Sequence, residues 1–144
     1  MNNDNKIKLF LVDDDAVFLK SLEIEFLDNA DFEIETFSTG EKCIENIYKQ
    51  PDIIILDYHL DGIIAGAMNG IQTIDKIKEI NANMPIIMLS SQDKIDVAIN
   101  CMHHLAHDYV VKSETAFLRL QKIITNIFSL KKVEKELSWY MERM

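Results

Sequence analysis

The chain has 144 residues, 48% of them hydrophobic, which is enough for one domain with a sizeable core. Its formal net charge of −9 repels phosphate backbones, so we expect no direct binding of nucleic acid. No apolar run approaches the roughly 18 residues that span a bilayer, and the first residues lack the basic-then-apolar layout of a signal peptide. We therefore expect a cytoplasmic protein without membrane contact, in which Cys43 and Cys101 are buried thiols.

Strand and helix patterns alternate along the chain. The predicted strands are residues 6–12, 32–37, 52–56, 85–89 and 108–111, and clear helical patterns cover residues 16–28, 70–80, 94–104 and 114–144. A loop is predicted over residues 58–69. Strands that alternate with helices of this length indicate an α/β fold with a parallel sheet and right-handed crossovers.

Capping signals mark two of the helix starts. Asp15 precedes the first helix and is its predicted N-cap. Ser38, followed three residues later by Glu41, resembles a capping box. We expect this box to open a further helix that runs to about Lys49.

Polar side chains stand at the ends of four predicted strands. Asp13 and Asp14 follow the first strand, Asp57 the third, Ser90 the fourth and Lys112 the fifth. The carboxyl ends of parallel strands share one edge, where open α/β sheets bind their ligands. Three ionised carboxylates need a counter-charge, and an oxygen-only site with few protein ligands suits Mg²⁺. The positive charges of a cation and a lysine can compensate an anionic group attached to one of the carboxylates. Phosphoryl transfer requires this kind of charge stabilisation.

Four motifs, in this order, resemble those of response-regulator receiver domains of two-component signalling. They are LVDDD at residues 11–15, IILD at 54–57, MLSS at 88–91 and DYVVK at 108–112, and together they cover the chain up to about Ile127. The resemblance implies a flavodoxin-like, doubly wound fold with strand order 2-1-3-4-5.

The resemblance implies a role for each carboxylate at the strand ends. Asp57 would be the phosphoacceptor, attacking the phosphohistidine of a sensor histidine kinase or phosphotransfer protein and forming an acyl phosphate. Asp13 and Asp14 would hold Mg²⁺ together with Asp57 and the main-chain carbonyl of His59.

The resemblance also implies roles for the residues around Asp57. Lys112 would pair with the phosphoryl oxygens, and Ser90 would hydrogen-bond to the phosphoryl group and draw its loop inward. Tyr109 matches the aromatic residue that swings inward with this loop. His59 and Gln92 occupy the two positions that tune self-dephosphorylation. The output surface would comprise the fourth helix, the fifth strand and the fifth helix.

One departure from the family pattern follows the lysine. The family usually has a proline there, after a cis peptide bond, whereas this chain has Ser113 after Lys112. A cis bond before a residue other than proline costs about 2.5–4 kcal/mol, which argues against the cis geometry in this chain.

A second departure is the loop after the phosphoacceptor. The family has a glycine eight positions after the aspartate, and the matching residue here is Gly70, thirteen positions after Asp57. About five residues within 63–68 are therefore an insertion, and Leu60 and Asp61 replace the usual Met-Pro. We expect this loop to alter access to the site, phosphoryl lifetime or the choice of partner.

The end of the chain carries a separate pattern. Residues 1–129 are predicted to be the receiver domain and residues 130–144 a helical extension. The residues at 3-4-3-4 spacing, as in a coiled-coil seam, are Leu130, Val133, Leu137, Tyr140 and Met144. The seam covers only two heptads, which is too short to assign a role to the extension. It is compatible with a coil that forms a homodimer or binds a partner, with a helix folded back on its own domain, and with a linker to an output domain outside this chain.

Together these features predict a phosphorylation-dependent switch that passes its signal by protein contact, with at most weak self-dephosphorylation and no other enzymatic activity. One alternative is a receiver-like interaction module that takes no phosphate. Another is a Mg²⁺-dependent aspartate-nucleophile phosphatase, but that class reads Asp-x-Asp, and His59 stands where its general acid would be. An FMN-binding flavodoxin would need a phosphate-binding loop rich in Ser, Thr and Gly after the first strand, which this chain lacks.

Overall fold

Five parallel strands form a single sheet in the computed structural model, which describes residues 6–143. The strands are β1 (Ile7–Val12), β2 (Phe32–Phe37), β3 (Ile53–Asp57), β4 (Ile86–Ser90) and β5 (Asp108–Val111). The helices are α1 (Ala16–Leu27), α2 (Gly40–Glu45), α3 (Gly70–Ile80), α4 (Ile95–His103) and α5 (Ala116–Glu142). The sheet order β2-β1-β3-β4-β5 confirms the predicted doubly wound fold.

The central strands are apolar because helices cover both of their faces. All five residues of β3 and all five of β4 are buried, as expected for parallel strands in the middle of such a sheet. Strand β3 lies between β1 and β4, with Ile54 opposite Phe10 on one side and Ile86 on the other. This register brings the carboxyl ends of β1, β3 and β4 to the same edge.

The core has two layers, one on each side of the sheet. Alternate strand residues point to opposite faces, so Phe10 and Ile54 pack with α2, α3 and α4, whereas Leu9 and Ile55 pack with α1 and α5. Cys43 and Cys101 are free thiols buried in the first layer, as expected. Burial raises the pKa of Cys43 to about 12 and that of Cys101 to about 11.

The helix starts confirm one predicted cap and correct the other. The Asp15 carboxylate accepts hydrogen bonds from the N–H groups of Val17 and Phe18, which makes it the N-cap of α1. The predicted box at Ser38 is wrong, because the N-cap of α2 is Thr39, whose hydroxyl accepts from the Lys42 N–H.

The helix predicted to run to Lys49 is also shorter than expected. Helix α2 ends at Glu45, and a separate 3₁₀ turn follows at Ile47–Lys49. Gln50 then has a left-handed backbone, with φ of 58°, which no continuing helix can adopt.

Helix α5 is one continuous helix, and its two halves differ in burial. Its buried residues are Ala116, Leu120, Ile124 and Ile127, whereas residues 129–143 are all exposed. Four of the five residues of the predicted seam lie on this exposed half, and the fifth, Met144, lies outside the described residues. Residues 1–5, where no signal-peptide layout was found, also lie outside them. Within residues 6–143, no helix combines the length and hydrophobicity needed to cross a membrane.

Candidate functional site

The structure brings most of the predicted site residues to the carboxyl edge of the sheet. Asp57 and Ser90 are the last residues of β3 and β4, and Asp13 and Lys112 directly follow β1 and β5. Asp13, Asp57 and Ser90 are buried, with at most 3% of each residue exposed. The Lys112 N–H donates to the Ser90 carbonyl at 2.8 Å, which continues the β4–β5 ladder past the strand end.

Three carboxylates form an acidic cluster at this edge. Asp13, Asp14 and Asp57 each offer a ligand oxygen, and these oxygens all lie within 4.8 Å of one another. The ammonium group of Lys112 is the counter-charge, with Nζ 2.7 Å from Asp13 Oδ2 and 3.4 Å from Asp57 Oδ1. The Phe18 ring, whose centroid is 4.6 Å from this Nζ, covers the lysine on the α1 side.

The pocket shifts the protonation of its own groups. Burial, and then the charge of Asp13, raise the pKa of Asp57 to about 7, although Lys112 opposes the shift. Burial alone would lower the pKa of Lys112, but its hydrogen bond to Asp13 and the charges of Asp57 and Asp13 outweigh burial and raise it. Three carboxylates beside one lysine also leave the cluster with excess negative charge.

This donor set fits Mg²⁺. The three side chains offer only oxygen atoms, which Mg²⁺ prefers, and a divalent cation would supply positive charge beyond that of the single lysine. Asp13 and Asp57 are buried and Asp14 is half-buried, so the cluster opens toward solvent on one side. The fourth predicted ligand, the main-chain carbonyl of His59, stays a prediction.

The predicted switch residues are linked through the loop after β4. The Ser90 hydroxyl accepts from the Gln92 N–H at 3.0 Å, and the Tyr109 hydroxyl donates to the Gln92 carbonyl. The Gln92 side chain contacts His59, with Nε2 3.1 Å from Nε2 of His59. Ser90, Gln92, Tyr109 and His59 thus form one connected set beside Asp57, and movement of the loop would break several of its hydrogen bonds together.

Gly70 explains how the long loop rejoins the fold. Its N–H donates to the Tyr58 carbonyl at 3.0 Å, and a methyl group placed on it would lie 2.5 Å from the Asp57 carbonyl oxygen. Only glycine allows α3 to begin this close to the backbone of Asp57. The residue that replaces the usual methionine of the family, Leu60, is 1% exposed and packs in the core.

The peptide bond after Lys112 is trans, since residues 6–143 contain no cis peptide bond. This agrees with the argument from Ser113 and differs from the usual geometry of the resembled family. Lys112 nevertheless reaches both Asp13 and Asp57.

Sequence reasoning missed two side chains that connect to this region. Glu41, read as part of a local capping box, instead accepts a hydrogen bond from the Met68 N–H at 2.9 Å, across 27 positions of the chain. Asn100 of α4 donates to the Tyr58 hydroxyl at 3.3 Å, so the residue after Asp57 contacts the helix that follows β4. No spacing rule predicts either pair, because both depend on tertiary packing.

Comparisons with known proteins agree with the geometry. The family model described as the response regulator receiver domain matches residues 9–125. The chain is similar to the regulatory protein LuxO of Vibrio cholerae, with 30% identity over 100 residues, which are 69% of this chain and 21% of that protein. It is also similar to a protein-glutamate methylesterase/protein-glutamine glutaminase of Clostridium acetobutylicum, with 31% identity over 118 residues, or 78% of this chain and 32% of that protein. The chain thus spans a fifth to a third of the length of these curated relatives.

Solved structures share the fold at lower identity. The receiver domain of NtrX from Brucella abortus superposes with a TM-score of 0.74 at 21% identity, covering 84% of this chain and 98% of that one. A CheY-like response regulator receiver domain protein from Methanospirillum hungatei has a TM-score of 0.73 at 20% identity, covering 88% and 98%.

Proposed function

The chain belongs to the response regulator receiver domain family, and we propose that it is a phosphorylation switch whose acceptor is Asp57. The observation that carries this proposal is the position of Asp57, a buried carboxylate at the end of β3 beside two further carboxylates and one lysine. The donor would be the phosphohistidine of a sensor histidine kinase or a phosphotransfer protein. Because response regulators act in the cytoplasm, we place the reaction there.

The proposed reaction transfers one phosphoryl group between two side chains. A carboxylate oxygen of Asp57 attacks phosphorus, the bond from phosphorus to the donor histidine nitrogen breaks, and its electron pair stays on that nitrogen. The product on this chain is an acyl phosphate. The reaction needs positioning and charge stabilisation more than covalent assistance. Asp13, Asp14 and Lys112, which surround Asp57, are groups that can provide both.

Each neighbouring side chain would compensate charge or fix position. Lys112, already 3.4 Å from Asp57 Oδ1, would pair with the new phosphoryl oxygens. Asp13 and Asp14 would hold Mg²⁺, which when bound neutralises oxygens of the transferring group. Ionised Asp57 is the nucleophile, so its raised pKa makes a bound cation important for reactivity near neutral pH.

The conformational switch would run through the loop after β4. Ser90 now accepts a hydrogen bond from the Gln92 N–H, and a phosphoryl group on Asp57 would compete for the serine hydroxyl. Drawing Ser90 toward Asp57 would strain the hydrogen bond between Tyr109 and the Gln92 carbonyl and shift the conformational equilibrium of this loop. His59 and Gln92, whose side chains contact each other, would tune the lifetime of the acyl phosphate.

The signal would leave the domain by protein contact on the face made by α4, β5 and α5. Helix α4 presents Ile95, Ile99 and Met102 on one side, and about half or more of each residue is exposed. Exposed apolar side chains at helical spacing are typical of a surface that binds a partner. The protein is then a regulatory acceptor, and any enzymatic output would belong to another domain or protein.

The experiment that tests the switch is an intact-mass measurement of the full chain incubated with phosphoramidate and Mg²⁺. We expect one added phosphoryl group in the wild type, and none in Asp57→Asn or when EDTA removes the metal. Asp31→Asn, an exposed carboxylate before β2, is the matched control and should gain the group normally. A wild type that gains nothing would favour the receiver-like module that takes no phosphate. Release of free phosphate at every cycle would favour the phosphatase.

We also propose that residues 130–144 form an extension that pairs with a second copy of the chain, while residues 1–129 form the receiver domain. The support is the continuous helix through Glu142 and the exposure of Leu130, Val133, Leu137 and Tyr140, each 58–62% exposed. Sedimentation of the full chain and of a double variant, Val133→Glu with Leu137→Glu, tests this pairing. A dimer that becomes a monomer supports it, and a monomeric wild type over the accessible concentration range contradicts it.

A further inference from the structure

The long loop between β3 and α3 is fixed at both ends and exposed between them. At one end, Leu60 is buried in the core. At the other, the Met68 N–H is bonded to Glu41, and two residues later Gly70 abuts the backbone of Asp57 and Tyr58. The residues between these ends, 61–67, are here called the arch, and all but the last are exposed.

The arch passes directly beside the acidic cluster. A methyl group placed on Gly62 would lie 3.4 Å from Asp14 Oδ2, which is ordinary van der Waals contact. Asp14 is the half-buried member of the cluster, on the side where the cluster meets solvent. Gly62 therefore lies beside the solvent-facing member of the cluster, so the position of the arch affects how far the site opens on this side.

Glu41 is the side chain that ties down the end of the arch. Its Oε2 accepts from the Met68 N–H at 2.9 Å, while Oε1 is buried and has no hydrogen-bond partner among residues 6–143. Within residues 6–143, the hydrogen bond that this carboxylate accepts therefore goes to the loop. A hydrogen bond with an ionised acceptor is stronger than one between neutral groups, which suits it to holding an exposed segment.

We infer that Glu41 is a positioning residue that holds the arch beside Asp14 and so limits the access of water and small phosphodonors to Asp57. The inference rests on the proposed function, since the access it describes is access to the phosphoacceptor. It does not require Glu41 to touch the reacting atoms. Without the Met68 hydrogen bond, the arch stays attached at Leu60 and Gly70, but Gly62 moves away from Asp14 more often.

The first test measures rates on the full chain with phosphoramidate as the donor. Glu41→Ala should speed both phosphorylation by phosphoramidate and loss of the phosphoryl group to water, each by about tenfold, because losing a hydrogen bond to a charged group raises the open population by about that factor. The Kd for Mg²⁺ should stay within about twofold, since Asp13, Asp14 and Asp57 are unchanged.

Two further variants separate positioning from general loosening. Glu41→Gln retains a carbonyl oxygen that can accept from Met68 but lacks the charge, so its rates should lie between those of the wild type and Glu41→Ala. Glu45→Ala removes an exposed acid from the same helix and is the matched control. Equal rates in Glu41→Ala, Glu45→Ala and the wild type would overturn the inference, and so would a Glu41→Gln variant as fast as Glu41→Ala.

The second test does not depend on phosphorylation. Amide hydrogen exchange should be about tenfold faster in the peptide that covers residues 61–69 of Glu41→Ala than in the wild type, with no change in peptides from β1 or β3. Unchanged exchange in residues 61–69 would show that Glu41 does not hold the arch. If the wild type accepts no phosphoryl group, the proposed function fails by itself, and exchange in this peptide still decides whether Glu41 holds the arch.

Discussion

Two clusters of lysine and carboxylate in this molecule, one largely buried and one more exposed, differ in what they can do. At the carboxyl edge, Lys112 lies beside Asp13 and Asp57, and the three side chains are 3–15% exposed. Toward the amino ends of β1 and β3, Lys49 Nζ lies 2.6 Å from Glu35 Oε1, with about a third of each side chain exposed.

The shorter ion pair is the less consequential one. Water reaches about a third of the Lys49 and Glu35 side chains and screens their attraction, so such pairs contribute little to stability. The buried cluster is shielded from water, and there burial, followed by the charge of Asp13, raises the pKa of Asp57 to about 7 against the opposing effect of Lys112. Burial, more than distance, separates a chemical site from a surface contact.

The largest expected effect follows from removing Lys112, the partly buried lysine of the site. Lys112→Met leaves Asp13 and Asp57 facing each other without their ammonium group, which should cost about 3 kcal/mol of unfolding free energy at pH 8 without Mg²⁺. The cost should shrink at pH 6, where Asp57 takes up a proton. Urea unfolding at the two pH values measures it, and an equal loss at both would contradict the buried-charge account.

A divalent cation should stabilise the protein through the buried cluster. At Mg²⁺ concentrations of about 100 times the Kd, the unfolding free energy should rise by about 2.7 kcal/mol. Thermal unfolding with and without Mg²⁺ checks this result. Asp57→Asn should lose most of the increase, because it removes one of the three carboxylates, whereas Lys49→Met should retain all of it. An equal gain in Asp57→Asn would place the cation elsewhere.

The raised pKa of Asp57 predicts how stability depends on pH in the absence of metal. The folded chain binds this proton up to about pH 7, whereas the unfolded chain releases it near 3.8. The stabilisation that the proton on Asp57 gives the folded chain is therefore full below about pH 4 and is lost as the pH rises to 7. The difference in unfolding free energy between the wild type and Asp57→Asn, followed from pH 5 to pH 8, isolates it. A difference that is flat over this range would refute the shift.

The affinity for Mg²⁺ should change in the opposite direction over the same range. Below pH 7 a proton competes with the cation for Asp57, so the affinity should fall by up to about tenfold per pH unit. Calorimetric titration at pH 6, 7 and 8 measures this fall. The pair of Lys49 and Glu35 does not affect stability between pH 6 and pH 8. The hydrogen bond to Glu35 raises the pKa of Lys49, so the stabilisation that this lysine contributes is lost only at pH values above 10.5.

The smallest effect should come from the exposed cluster itself. Lys49→Met should leave the unfolding free energy nearly unchanged at pH 7, because the pair is solvated, and high salt should change it little further. Urea unfolding at low and high salt, beside Lys112→Met, gives the comparison. A loss as large as that of Lys112→Met would mean that burial is not what distinguishes the two clusters.

The sequence predicted the sheet and the positions of the carboxylates because both follow from local patterns. An apolar run such as residues 53–56 is a buried strand whichever helices cover it, and a polar residue at its end falls at the sheet edge. The roles of Asp13, Asp57, Ser90 and Lys112 came from the family resemblance, and they stay proposals. The structure adds the distances and the burial that make those roles physically reasonable.

The errors lie where two local signals compete or where tertiary contacts decide. Ser38 and Thr39 both suit an N-cap, and their order in the chain does not say which one the helix uses. Helix α3 spans residues 70–80 as predicted, and the capping box of Asn69 and Gln72 at its start is a sequence signal that the prediction did not use. The bond from Met68 to Glu41 joins residues far apart in the chain, so no spacing pattern could reveal it.

The arch has a consequence for how the chain can vary. Its ends are fixed by Leu60 and by Met68 with Gly70, and these anchors set the backbone around Asp57. The number and kind of residues between the anchors can therefore change without moving the acceptor. The arch is thus the natural place to graft a peptide tag or an environment-sensitive dye, which would report on the occupancy of the pocket from a few ångströms away.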